Sequence, residues 1–142
     1  MTLSTSSSAR SQLLAAVLLL TTLNVGAAFD ADIKVTLSGA NEVPPVTTPA
    51  SGGGTITVAD DGSILGGVCT TGVVGTAAYI HEGAAGTNGP AVVRLTKDGD
   101  YYKVPSGAKF TPAQMASFEA GHLYINVHSA ANPGGEIRGQ LK

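Results

Sequence analysis

Polar and apolar residues alternate in short runs along most of this chain. From Asp32 to Leu37 the apolar residues Ile33, Val35 and Leu37 fall on one side and polar residues on the other, which predicts a half-buried strand. Asn41 to Pro45 breaks the pattern, because two successive prolines lack the N–H donors of a central strand. A flexible stretch from Thr47 to Gly54 is expected next, then a strand from Thr55 to Val58. Asp60-Asp61-Gly62 reads as a hairpin turn, with Gly62 free to take positive φ. The return strand runs from Ser63 to Val74, and Gly66-Gly67 marks a bulge or a close approach of backbones. Further strands follow at Ala77 to His81, Val92 to Leu95 and Tyr101 to Val104, separated by a glycine-rich loop over 82–90 and a turn over Lys97 to Asp100. The only helix signal is Thr111-Pro112-Ala113-Gln114, a capping box with proline at the first helical position, closed by Gly121. Met115 and Phe118 share its inward face. Two last strands flank the turn Ala131 to Gly135. Seven or eight short strands and one helix near 111–120 predict an all-β, antiparallel Greek-key β-sandwich or barrel.

The first 28 residues do not fit that pattern. A polar start carrying Arg10, an apolar run over 13–25 and the small residues Gly26-Ala27-Ala28 read as a secretory signal peptide, cut near Ala27 or Ala28. The apolar run is shorter than the ~20 residues that span a bilayer. The domain expected to remain, residues 29–142, is long enough for a single core. Without Arg10, seven Lys and Arg stand against ten Asp and Glu, a net charge of −3. That argues against a nucleic-acid surface, and no basic amphipathic segment suggests membrane binding after cleavage. The single cysteine, Cys69, can form no intramolecular disulfide. Its apolar neighbours in ILGGVCTTGVV predict a buried thiol.

Strand alternation also sorts the residues that could do chemistry. His122, Tyr124, Asn126 and His128 share one face, with Leu123, Ile125 and Val127 on the core side. Tyr79 and His81 share the non-core face of their strand. If those strands are neighbours, His81 and His128 meet. Two imidazoles suit copper or zinc, with Tyr79, Glu82 or Glu136 as candidates for a third ligand. The plainer alternative is a pair of hydrogen-bonded histidines, since no compact ligand spacing is present. His122 is expected to face the last helical carbonyls. Glu136 and Arg138 read as a structural ion pair, with Glu42 an equally good partner for Arg138 and loop carbonyls as further acceptors. There is no GxSxG, no HExxH and no phosphate-binding glycine loop, so a catalytic reading has little support.

Four blocks carry a resemblance: LSGANEVPPV (37–46), AAYIHEGAAGTNGPAVV (77–93), TPAQMASFEAG (111–121) and LYINVHSAANPGGEIRGQL (123–141). In this order they resemble the CHRD family, the domains named after chordin. The resemblance implies an extracellular β-sandwich over nearly the whole mature chain, Ig-like or superoxide-dismutase-like, with no established activity. A weaker similarity is to copper/zinc superoxide dismutases, which implies His81 and His128 as copper ligands and Arg138 as an anion-guiding arginine. Tyr79 departs from that pattern, where the first histidine of an HxH pair would stand, and the zinc histidines have no counterparts.

The expectation is therefore a secreted or periplasmic CHRD-domain protein, not an enzyme, with an extracellular interaction or matrix role and an unidentified extracellular partner. The alternative is a copper-binding protein with a degenerate dismutase-like site formed by His81, His128 and Tyr79.

Overall fold

The computed structural model describes residues 30–142, so the expected leader over 1–28 lies outside the described residues. The strands are β1 (Asp30–Ser38), β2 (Ser51–Ala59), β3 (Ile64–Thr71), β4 (Gly75–Glu82), β5 (Ala91–Arg94), β6 (Thr96–Asp98), β7 (Tyr101–Lys103), β8 (Leu123–Ser129) and β9 (Ile137–Gln140). A 3-10 turn covers Gly39–Asn41, and the helix α1 covers Pro112–Glu119. All nine strands lie in one antiparallel sheet, in the order β5-β4-β8-β9-β1-β2-β3-β7-β6. The two edge strands are consecutive in the chain. β5 runs through Leu95 into β6, and the Leu95 amide donates to the Ala78 carbonyl, so the sheet nearly closes on itself. The connections β3–β4 and β7–α1–β8 cross between strands that are not neighbours, as in a Greek key. The expected all-β antiparallel class with one short helix is what the chain adopts.

The core follows from alternation. Leu37, Ile56, Val68, Ile80, Leu123, Ile125, Val127 and Ile137 are fully buried inside the curved sheet. The capping box at α1 forms as expected, with the Thr111 hydroxyl accepting from the Gln114 amide and Gln114 Oε1 accepting from the Thr111 amide. Gly121 ends the helix at φ 73°. Met115 and Phe118 pack against the core but stay partly exposed, and no residue of α1 is fully buried.

Two expectations need correction, and one left open between two alternatives is decided. The stretch before Thr55 is strand, not flexible loop, from Ser51 on. Its glycines are there because strands approach closely: a Cβ on Gly54 would stand 2.0 Å from the Gly67 carbonyl oxygen. Gly66-Gly67 likewise marks close approach and not a bulge, since β2 and β3 pair without a register shift. Cys69 is exposed: strand period puts Val68 and Thr70 inside and Cys69 outside, whatever the apolar character of its neighbours.

Candidate functional site

The pairing of β4 with β8 sets Tyr79 opposite Asn126 and His81 opposite Tyr124. On the other side of β8, β9 sets Arg138 opposite Asn126 and Gln140 opposite Tyr124. The face of the sheet turned away from the core thus presents Tyr79, His81, Tyr124, Asn126, His128, Arg138 and Gln140 together. It is not a solvent face. Tyr124, Asn126 and Arg138 are 2%, 3% and 1% exposed. Loops over 39–50, 83–90 and 130–136 cover it, and the face holds them there.

Arg138 is the main clamp. Its guanidinium donates to the carbonyls of Thr87 (2.8 Å) and Ala84 (3.0 Å), and to the side chains of Gln140 (2.9 Å) and Asn88 (3.3 Å). It also lies 3.4 Å over the centre of the Tyr124 ring. Gln140 donates to the Gly83 and Gly121 carbonyls, and the Tyr124 hydroxyl accepts from the Gly89 amide. The expected Glu136–Arg138 pair does not form. Glu136 instead accepts from the hydroxyls of Thr48 (2.6 Å) and Ser129, and those bonds lower its pKa. Several loop carbonyls and side-chain oxygens satisfy the five donors of a planar fork better than one carboxylate could.

His81 and His128 do meet. Their ring centres are 6.0 Å apart, with planes within 9° of parallel. They lean together across the Tyr79–Asn126 rung that separates them on the ladder. Tyr79 makes T-shaped contacts with both, at 5.8 Å and 5.2 Å, and His81 stacks on Tyr124 at 5.0 Å. Each Nδ1 faces a backbone carbonyl at 2.8 Å, Gly89 for His81 and Pro133 for His128. A carbonyl only accepts, so each Nδ1 carries the proton and each Nε2 of the neutral ring carries a lone pair. His128 Nε2 is 2.9 Å from Asn126 Oδ1, while His81 Nε2 is buried without a partner. Burial is the chief cause of a lowered His81 pKa, helped by the His128 and Arg138 charges and opposed by the Gly89 carbonyl and Asn126. Glu42, 5% exposed, has its pKa raised to about 7 by desolvation, against the pull of Arg138 and Asn126. Its Oε1 has no hydrogen-bond partner.

Two imidazoles that share one ion, with metal–nitrogen bonds of about 2 Å and nitrogens about 1.2 Å from their ring centres, have ring centres about 5–6 Å apart. The observed separation fits, and Nδ1 pinned by a carbonyl is how metal-binding histidines are commonly oriented. The other suggested ligands are engaged elsewhere: Glu82 accepts from Ser117, and Glu136 is held as above. Among the described residues no three His, Cys, Asp or Glu side chains converge on one point. His122 stays exposed, and it is its backbone amide that bonds the Ser117 carbonyl at the helix end. Sequence reasoning placed Asn126 on the right face but missed its central position, and missed that Glu42 is buried beside it. Neither has a local signal, because both depend on loops far away in the chain.

The CHRD domain family model matches residues 33–141, and this chain belongs to the CHRD family. No curated protein matches it, and no solved structure matches it.

Proposed function

We propose that this CHRD domain works outside the cytoplasm as a non-catalytic interaction module. The observation that supports this is how the polar face is used. Arg138, Gln140, Glu136 and both Nδ1 atoms are committed to holding three loops in place, which builds a fixed surface and leaves few groups for acid–base chemistry. The leader pattern supports export. Beside Arg138 a cleft of about 630 Å3, lined by Lys34, Asn41, Glu42, Gly86, Gln140 and Lys142, offers a concave surface for a partner. Two experiments test the reading. Expression of the full chain in an exporting host should yield a product in the periplasm or medium, trimmed near Ala27 or Ala28. A full-length product retained in the cytoplasm contradicts export. The purified chain should not turn over superoxide or ester substrates, and enzyme-like rates with either would overturn the non-catalytic reading.

A second reading is copper binding by His81 and His128, with Tyr79 as the third group suggested by sequence. What favours it is the partnerless, buried Nε2 of His81 on a ring whose centre lies 6.0 Å from that of a second imidazole. Titration with Cu(II), followed by visible absorption, should give one site per chain in the native protein and none in the His81→Ala, His128→Ala double variant. Equal stoichiometry in both would end this reading.

A further inference from the structure

The region between the histidines holds a conflict of hydrogen-bond character. His128 Nε2 and Asn126 Oδ1 face each other at 2.9 Å, and both are acceptors when the ring is neutral with its proton on Nδ1. His81 Nε2, a third acceptor, has no donor either, although Asn126 is near enough to His81 to affect its protonation. Turning the carboxamide over would give the histidines an NH2 group, but it would create the same conflict at the other end. There Asn126 Nδ2 donates to the Gly134 carbonyl at 3.3 Å, beside the Glu42 carboxyl. Gly135 fixes how close these groups are: a Cβ at that position would stand 2.4 Å from Asn126 Nδ2 and 2.5 Å from Glu42 Oε1. The Gly134 carbonyl, with the Glu42 carboxyl beside it, therefore holds the amide's nitrogen end, and its oxygen end is turned toward His128 Nε2.

Asn126 Oδ1 and His128 Nε2, 2.9 Å apart, and the partnerless Nε2 of neighbouring His81 are acceptors with no donor among them, and one cation would satisfy them together. The geometry points to Asn126 Oδ1 as a metal ligand alongside His81 Nε2 and His128 Nε2, in place of Tyr79, with Glu42 and the Gly134 carbonyl holding the amide in the binding orientation. This assignment rests on the copper reading above and names the group that completes that site. Imidazole nitrogens with one carbonyl oxygen suit a borderline divalent ion such as Cu(II). Glu42 acts from outside the ligand set by orienting Asn126, as outer groups commonly do around metal-binding residues.

The test is Cu(II) titration of the full chain in a glycine-buffered solution, with EPR of the loaded protein. Asn126→Ala should weaken Cu(II) at least about tenfold and alter the EPR parameters. Asn126→Asp, which keeps an oxygen in place, should restore affinity to the native level or better. Tyr79→Phe should leave both readouts unchanged, and Glu42→Leu should weaken binding several-fold with the two-nitrogen pattern retained. If Asn126→Ala fails to fold, as judged by thermal melting, the contrast between Asn126→Asp and Tyr79→Phe decides. Native affinity in both Asn126 variants, or loss of binding in Tyr79→Phe alone, overturns the assignment and leaves the copper reading standing. Absence of Cu(II) binding by the native chain overturns both.

Discussion

The two faces of β8 are almost equally dry, for different reasons. On one side Leu123, Ile125 and Val127 are 0% exposed inside the nearly closed sheet. On the other, Tyr124 and Asn126 are 2% and 3% exposed beneath loops. The inner face is dry because apolar side chains leave water, a local property of the alternating pattern. The outer face is dry because Arg138 and Gln140 pull the 83–90 loop over it, with contacts more than fifty residues apart in sequence. A polar face sealed in this way needs nearly every donor and acceptor matched. Its unmatched atoms, His81 Nε2 and Glu42 Oε1, are therefore the places where function is sought.

The inner face should be the more sensitive to truncation. Ile125→Ala removes a fully buried side chain and is expected to cost about 3–4 kcal/mol, measured by urea unfolding at unchanged m-value. A loss below about 1 kcal/mol would mean that the sheet does not close tightly there. Arg138→Lys keeps the charge and loses the fork. It should cost about 2 kcal/mol, because loop carbonyls lose their donors, and should speed hydrogen exchange at the Gly89 amide. Native exchange at Gly89 would show that the loop holds itself in place.

Glu42 gives the outer face a pH signature. Its folded pKa of about 7 lies above the ordinary carboxyl value of 4.5, so the folded state holds more protons between those values. Its contribution is fully present below 4.5 and is lost as the pH rises through about 7. Glu42→Gln should therefore gain about 1–2 kcal/mol over the native chain at pH 8 and nothing at pH 4. His81, whose pKa is lowered, acts in the opposite sense, but it is present in both proteins and cancels in the difference. A gain independent of pH would place the cause in packing. The smallest effect belongs to Cys69: Cys69→Ser should change stability by less than about 0.5 kcal/mol, and the native thiol should react with a maleimide while folded. Protection until unfolding would contradict its exposure.

The same contrast explains what could be read from the sequence. Period two placed the core residues of β1, β4 and β8, and the capping box placed α1, because both signals act over a few residues. It also put Tyr79, His81, Asn126 and His128 on one side of their strands. Cys69 was misplaced when the composition of its neighbours was followed instead of its parity on β3. The Glu136–Arg138 pairing failed because proximity in sequence says nothing of the 83–90 loop, which offers Arg138 better acceptors. Asn126 could be named as sharing a face with His128, but its central position needed Glu42 and Gly135 delivered by loops that no local pattern specifies.

The central claim is that His81 and His128, with ring centres 6.0 Å apart, are held with protons on Nδ1 and lone pairs on Nε2. NMR of the chain labelled with 15N-histidine tests it most directly. At pH 7.5 both rings should show protonated Nδ1 and bare Nε2, and a small fraction of an equivalent of Cu(II) should broaden their signals while sparing exposed His122. Protonated Nε2 with bare Nδ1 on either ring, or broadening of His122 first, would contradict the account.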